Sequence, residues 1–320
     1  MPRRSPKADA FGGPGRQHDA SDFLIYFIDV LHDEMNFKRD LPDYQAQLVI
    51  DLVRRHPELV GKTKNDISNF PDDEPTSYLN TQTAIVQEWG RFLDGENSKI
   101  STIFRGLDTW ITHCPTCGFA LKRFSPYTVL QINFPDKYTT RAGYAPLTLM
   151  DMIRWQFNAD PKNCQKMEGY KCQRCKTKDL CYQDRAISYF SDYLILEFQR
   201  FLQVDGGLES AKITAQVKFS ETIDLTSAFI RFDEPTPDGI KLYGGQIGPF
   251  IYDCYAVVLH HGDTLKQGHY TAIARSLDKS NHASGTWHRF NDTHVEPTNF
   301  QVTQADKATV TQVFMKRRPL

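Results

Sequence analysis

Four of the seven cysteines fall into two C-x-x-C pairs, Cys114–Cys117 and Cys172–Cys175. A tetrahedral zinc ion takes four thiolates at about 2.3 Å, and a tight C-x-x-C turn presents two of them from one side. Two such pairs predict one structural four-thiolate Zn²⁺ site. A redox dithiol at Cys114–Cys117 is the other chemistry that spacing allows. It needs its first Cys at a helix N-terminus, whereas Gly118 and the strand-like run FALKRFSPYTVLQI follow here. Cys164 and Cys181 read as bystander thiols. Cys254 reads as a core residue, alternating with Tyr252, Ala256 and Val258 on one strand face.

A second candidate for chemistry is His269. The segment HHGDTLKQGHYTAIAR, His260–Arg275, is followed by TWHRFND, Thr286–Asp292. If the two form a hairpin with its tip near residue 281, positions summing to about 562 face each other, and His269 lies across from residues 291–293. An imidazole beside Asn291 or Asp292 is a general base held in orientation by a neighbouring amide or carboxylate. Gly268, just before it, leaves room for a peptide-like substrate to pass close to the backbone.

The elements that must position these groups differ between the two halves of the chain. Phe23, Leu24, Phe27, Ile28 and Leu31 recur at spacings of three and four and predict a helix, with Asp19 and Asp22 as N-cap and acidic N3 partner. Further helices are expected over 43–55, 83–93 and 148–157, with a polar loop at 62–80. The second half carries short β-branched and aromatic segments, among them TVLQINF, YLILEFQRF, YDCYAVVLHH, HYTAIAR, TWHRF and TVTQVFMK, punctuated by Gly and Asp. The fold class is therefore α+β, helices first and then an antiparallel sheet.

Lys+Arg 38 against Asp+Glu 39 leaves a net charge of -1, so no whole-chain field favours nucleic acid or an anionic membrane. That balance weakens the alternative of a zinc-ribbon nucleic-acid binder. No apolar run of about 18 residues is present, and the start MPRRSPKADAFGGPG lacks an apolar h-region. Unpaired cysteine arithmetic without such a signal points to a reducing compartment, cytoplasm or nucleus. The short basic run PRRSPK suits nuclear import or plain solvation.

Taken together these segments resemble the ubiquitin-specific proteases, papain-like cysteine peptidases that cut after the C-terminus of ubiquitin. RQHDASDFL, Arg16–Leu24, is similar to the family's glutamine-aspartate box. Trp89, NSKISTIFRG at 97–106 and THCPTCG at 112–118 resemble the entry to its zinc-bearing fingers. LILEFQRF at 194–201 resembles its Leu-x-Leu-x-x-x-Arg-Phe strand, and YDCYAVVLH, GHYTA and WHRFND at 252–260, 268–272 and 287–292 its histidine box. The resemblance runs from about Gln17 to Arg318. It implies a papain-like hand of partial helical thumb, antiparallel palm and zinc-ribbon fingers. It also implies His269 as general base, Asn291 as the third triad member and Asp292 as a contributor beside it. Asp19 would bind the incoming ubiquitin tail with Gln17, His18 and Gly268 nearby, and Tyr270 would line the channel. Ubiquitin or ubiquitinated proteins are the implied partners, with no nucleic acid or membrane, and a monomer is expected.

The same resemblance places the nucleophile in a Gly-Asn-Thr-Cys-type segment upstream of Gln17. Sixteen residues precede Gln17 and none is Cys. The expectation is a disordered leader at 1–16 and, over 17–318, a catalytic domain without its Cys segment. Within it, 17–100 form the partial thumb, 101–245 the fingers and part of the palm, and 246–318 the palm with the histidine box. Such a polypeptide is expected to be a shortened protease, inactive as it stands. The alternative is a non-catalytic ubiquitin-binding pseudo-protease or scaffold.

Overall fold

The computed structural model describes residues 19–36, 77–96, 98–135, 147–157, 165–204, 209–228, 246, 248–264, 267–277, 283–300 and 310–319. The expected leader at 1–16 and helix at 43–55, together with Gln17, His18 and Cys164, lie outside them.

Helix α1 spans Ala20–Met35, capped by Asp19, whose carboxylate accepts from the Ser21 amide at 2.6 Å. This satisfies one of the donors that a helix start leaves open. Its buried side is Leu24, Ile28 and Leu31, packed on Ile100 and on Ile195 of the sheet. Phe23 and Phe27 share the expected apolar periodicity but lie exposed, stacked on each other at 6.2 Å. Helix α2, Ser77–Gly95, starts six residues before the expected 83 and takes in the end of the polar loop. The short helix α3, Lys99–Phe104, was not marked by periodicity; Ser98 caps it by accepting from the Ser101 amide at 3.0 Å. His32 ties α1 to this cap, with Nδ1 2.6 Å from Ser98 Oγ and Nε2 2.9 Å from Glu96.

The palm is an eight-stranded sheet. Its strands are β3 (Val129–Ile132), β7 (Tyr193–Phe198), β11 (Thr222–Asp224), β12 (Ile251–Thr264), β13 (Gln267–Leu277), β14 (Ala283–Asn291), β15 (His294–Thr298) and β16 (Val310–Arg317). The order is β15-β14-β13-β12-β16-β7-β3, with β11 beside β12. It is antiparallel as expected except at one edge, where β3 runs parallel to β7. The β13–β14 hairpin has the expected register: Ala272 faces Phe290, Ile273 faces Arg289 and Ala274 faces His288.

One expectation about β12 is corrected. Tyr252 and Cys254 are buried, but the next core residues are Val257 and Leu259 rather than Ala256 and Val258. Cys254 pairs with Met315 and Ala256 with Phe314, so Tyr255 is an extra residue against β16. A bulge of one residue reverses which parity faces the core.

The fingers are a four-stranded antiparallel sheet, β2-β1-β6-β5. They comprise β1 (Gly106–His113), β2 (Ala120–Tyr127), β5 (Gln165–Lys171) and β6 (Lys178–Tyr189). The β1–β2 and β5–β6 hairpins lie side by side through β1–β6 pairing, Trp110 opposite Arg185. Helix α4, Leu149–Phe157, meets the expected 148–157 and buries Leu149, Met152, Ile153 and Phe157 in the main core. Small pairs complete the fold: β4 (Leu147–Thr148) with β10 (Val217–Lys218), and β8 (Phe201–Val204) with β9 (Glu209–Lys212).

Arg200 holds palm and neighbouring loops together. Fully buried, it donates to the carbonyls of Val310, Ile213 and Ala215 at 2.5, 2.7 and 3.0 Å. Its guanidinium lies over the Phe134 ring at 5.0 Å. Burial lowers its pKa to about 9.

Candidate functional site

The β13–β14 register brings His269 to the end of the hairpin beside Asn291. His269 Nε2 and Asn291 Oδ1 are 2.6 Å apart. An amide oxygen only accepts, so Nε2 carries the proton and Nδ1 keeps its lone pair; this tautomer is assigned from the bond. The arrangement leaves Nδ1 as the atom able to take a proton from an incoming nucleophile. Asp292 lies 3.9 Å from Nε2 and is largely exposed, beyond hydrogen-bonding distance. It opens the β14–β15 turn at φ 50, a left-handed conformation that Asp tolerates better than most residues.

Asp19 and Tyr270 join α1 to this strand. One Asp19 oxygen caps the helix, and the other accepts from the Tyr270 hydroxyl at 3.4 Å. Burial, and next the Asp19 charge, push the Tyr270 pKa upward, so the hydroxyl stays protonated as a donor. The helix cap and the Tyr270 contact thus use different oxygens of one carboxylate.

Gly268 has a packing reason of its own. A Cβ there would run into the His260 ring and come within 2.5 Å of the His261 carbonyl oxygen. His260 is buried between Phe201 and Tyr270, with ring centroids at 5.4 and 4.7 Å. Its pKa is lowered to about 4, first by burial and then by the Lys212 and His261 charges. His261 lies 6.4 Å from the His269 ring and bonds Thr271 through Nε2 at 2.8 Å. The His260–His261 doublet was visible in the sequence, but which ring is buried depends on the strand's inward face.

Cys254 lies at the other end of β12. It stands seven positions from His261, the partner of His269, which is roughly 20 Å along a strand. It is fully buried, and desolvation drives its thiol pKa far upward, so it is a poor thiolate.

At the finger tips the two C-x-x-C pairs form the turns of the adjacent hairpins, and the four sulfurs lie within 4.8 Å of one another. Cys114 Sγ is 3.8 Å from Cys175 Sγ, and Cys117 Sγ is 3.7 Å from Cys172 Sγ. Four sulfurs at about 2.3 Å from a tetrahedral ion stand about 3.8 Å apart, so the donor set fits a metal ion such as zinc. The two knuckles are built alike. The residue after each pair, Gly118 or Lys176, has a φ of 69 or 62 and donates its amide to the carbonyl of Cys114 or Cys172. Thr177 hydrogen bonds lower the Cys175 thiol to about 6. Cys181 is buried behind the cluster.

An α+β hand with a four-thiolate finger tip and a palm-edge imidazole–amide pair defines a papain-like peptidase scaffold. The chain belongs to the ubiquitin carboxyl-terminal hydrolase family, whose model matches residues 7–313. It is 28% identical over 281 residues to ubiquitin carboxyl-terminal hydrolase 2 of Gallus gallus, covering 88% of this chain and 63% of that protein. Against ubiquitin carboxyl-terminal hydrolase 4 of Saccharomyces cerevisiae it is 27% identical over 287 residues, covering 88% of this chain and 27% of that one. This chain therefore spans less than two thirds of the length of these relatives. In fold it is similar to a chain of the SAGA Ubp8/Sgf11/Sus1/Sgf73 DUB module bound to ubiquitin aldehyde. That match has a TM-score of 0.54 at 16% identity and covers 95% of this chain and 65% of that one.

Proposed function

We propose that this polypeptide carries the base-and-tail half of a deubiquitinase site, and that it holds the C-terminal tail of ubiquitin without cleaving it. The observation that carries the reading is the His269–Asn291 pair at 2.6 Å, next to an Asp19–Tyr270 contact that bridges helix and palm. In this reading Asn291 orients the imidazole, Nδ1 of His269 is the base, and Asp19, Gly268 and Tyr270 line the tail path, with Gln17 and His18 as further tail-binding residues. Asp292 contributes charge at the periphery. Attack on an amide carbonyl requires a thiolate beside Nδ1, and the described cysteines are Cys254 in the core and five in the fingers. Cys114, Cys117, Cys172 and Cys175 hold a structural zinc ion that joins the two finger hairpins.

Two measurements on the 320-residue polypeptide test this. Titration with ubiquitin is expected to give saturable binding, weakened at least fivefold by Asp19→Ala; no binding at hundreds of micromolar sinks the reading. A ubiquitin substrate with a C-terminal fluorophore is expected to release none. Turnover abolished by thiol alkylation would show that one of the seven cysteines does reach the base.

A further inference from the structure

We propose that Lys212 is a positioning residue for His269, holding the irregular end of β12 in the shape that delivers Gly268 and His269 to the site. The β12–β13 ladder is regular from Ala256–Ala274 to His261–His269, then shifts so that Thr264 faces Gln267. On its other side β12 has outrun its neighbour, because β16 begins at Val310, opposite Leu259. Past Leu259 the described ladder to β16 ends, and the part-buried His260 carbonyl and the exposed Gly262 carbonyl are met instead by a side chain from β9. Lys212, at the end of β9, supplies the donors. Its Nζ gives one hydrogen bond to the His260 oxygen at 2.8 Å and one to the Gly262 oxygen at 2.7 Å. Gly262 sits at φ 128, a conformation open to glycine, which lets its carbonyl join that of His260 on one ammonium.

What Lys212 fixes is passed on by contact. His260 is the residue whose ring excludes any side chain at Gly268 and lies against the Tyr270 ring, centroids 4.7 Å apart. Tyr270 in turn reaches Asp19, and His269 lies between Gly268 and Tyr270 in the chain. A shift of the His260 backbone therefore moves both neighbours of His269. The inference rests on the reading of His269 as the base, but its test uses the free protein and does not depend on ubiquitin.

In the full chain, Lys212→Met is expected to raise amide exchange at His261, Gly262, Gly268 and His269 at least tenfold, with the finger and α1 amides unchanged. The His269 ring nitrogens, expected to show one Nε2–H tautomer in the wild type, are expected to show averaged ¹⁵N shifts in the variant. Lys212→Arg, which can also serve two carbonyls, is expected to restore both readouts, and Lys218→Met, an exposed charge loss on β10, to alter neither. No local change, a uniform rise across the palm, or failure of arginine to rescue overturns the proposal. A wild-type measurement stands apart from folding of the variants: the Lys212 ammonium protons should show nuclear Overhauser contacts to Gly262, and their absence overturns it too. Should ubiquitin fail to bind while these results hold, the functional reading falls and the clamp on His269 remains.

Discussion

Gly268 and His260 occupy one another's space, and the consequences can be measured separately. In Gly268→Ala the new Cβ meets the His261 carbonyl at 2.5 Å, a backbone atom that cannot swing aside. The expected cost is about 1–3 kcal/mol, the range of an overpacked interior, read from the midpoint of urea unfolding. His260 makes stability depend on pH. Its folded pKa of about 4 lies below the ordinary 6.5, so between these values the unfolded chain binds a proton that the folded one refuses. Stability is then complete above pH 6.5 and falls as pH drops toward 4, by at most about 1.4 kcal/mol per unit from this group. Denaturant unfolding at pH 7, 6 and 5 should show that slope, and His260→Gln should flatten it.

The finger hairpins depend on their tips. Each C-x-x-C is the turn of a hairpin, and β1–β6 pairing brings the two turns together. One zinc per chain is expected by mass spectrometry of the native protein. Cys172→Ser should lose the metal and raise amide exchange in β5 and β6, while the β12–β16 amides stay protected. Metal retained in that variant would remove Cys172 from the ligand set. Lys176 stands where its twin knuckle has Gly118, and the left-handed conformation costs an ordinary residue about 1–2 kcal/mol. Lys176→Gly is therefore expected to stabilise the fingers by about 1 kcal/mol, visible as a higher unfolding midpoint with metal bound.

At the scale of the whole molecule, the exposed rings of Phe23 and Phe27 stand out, because a helix packed on both flanks would bury them. Both are about half accessible, at 57% and 49%. Substitution of exposed residues usually changes stability by less than about 0.5 kcal/mol. Phe27→Ser should leave the unfolding midpoint unchanged and lower light scattering at high protein concentration. A loss of several kcal/mol would mean that the ring is packed in solution. Arg200 is the opposite case: Arg200→Leu strips three carbonyls of their donor. With each orphaned carbonyl worth about 1–3 kcal/mol, it is expected to prevent stable folding, checked by loss of a cooperative thermal transition.

Much of this molecule follows from its sequence because the governing distances are short. The C-x-x-C spacing sets two thiols in one turn, and pairing of positions that sum to 562 puts Asn291 on the diagonal from His269, so the sulfur cluster and the His269–Asn291 contact were legible in the sequence. The Asp19 cap is likewise a local hydrogen bond two residues long. Tertiary structure decided the rest. The pairing of β12 with β16 skips Tyr255, and that single residue moves the core from Ala256 and Val258 to Val257 and Leu259. Lys212 reaches carbonyls 48 and 50 residues away, a link that carries no local pattern. Periodicity reports what a segment would bury, whereas bulges, strand ends and the cations that satisfy them depend on which neighbours arrive.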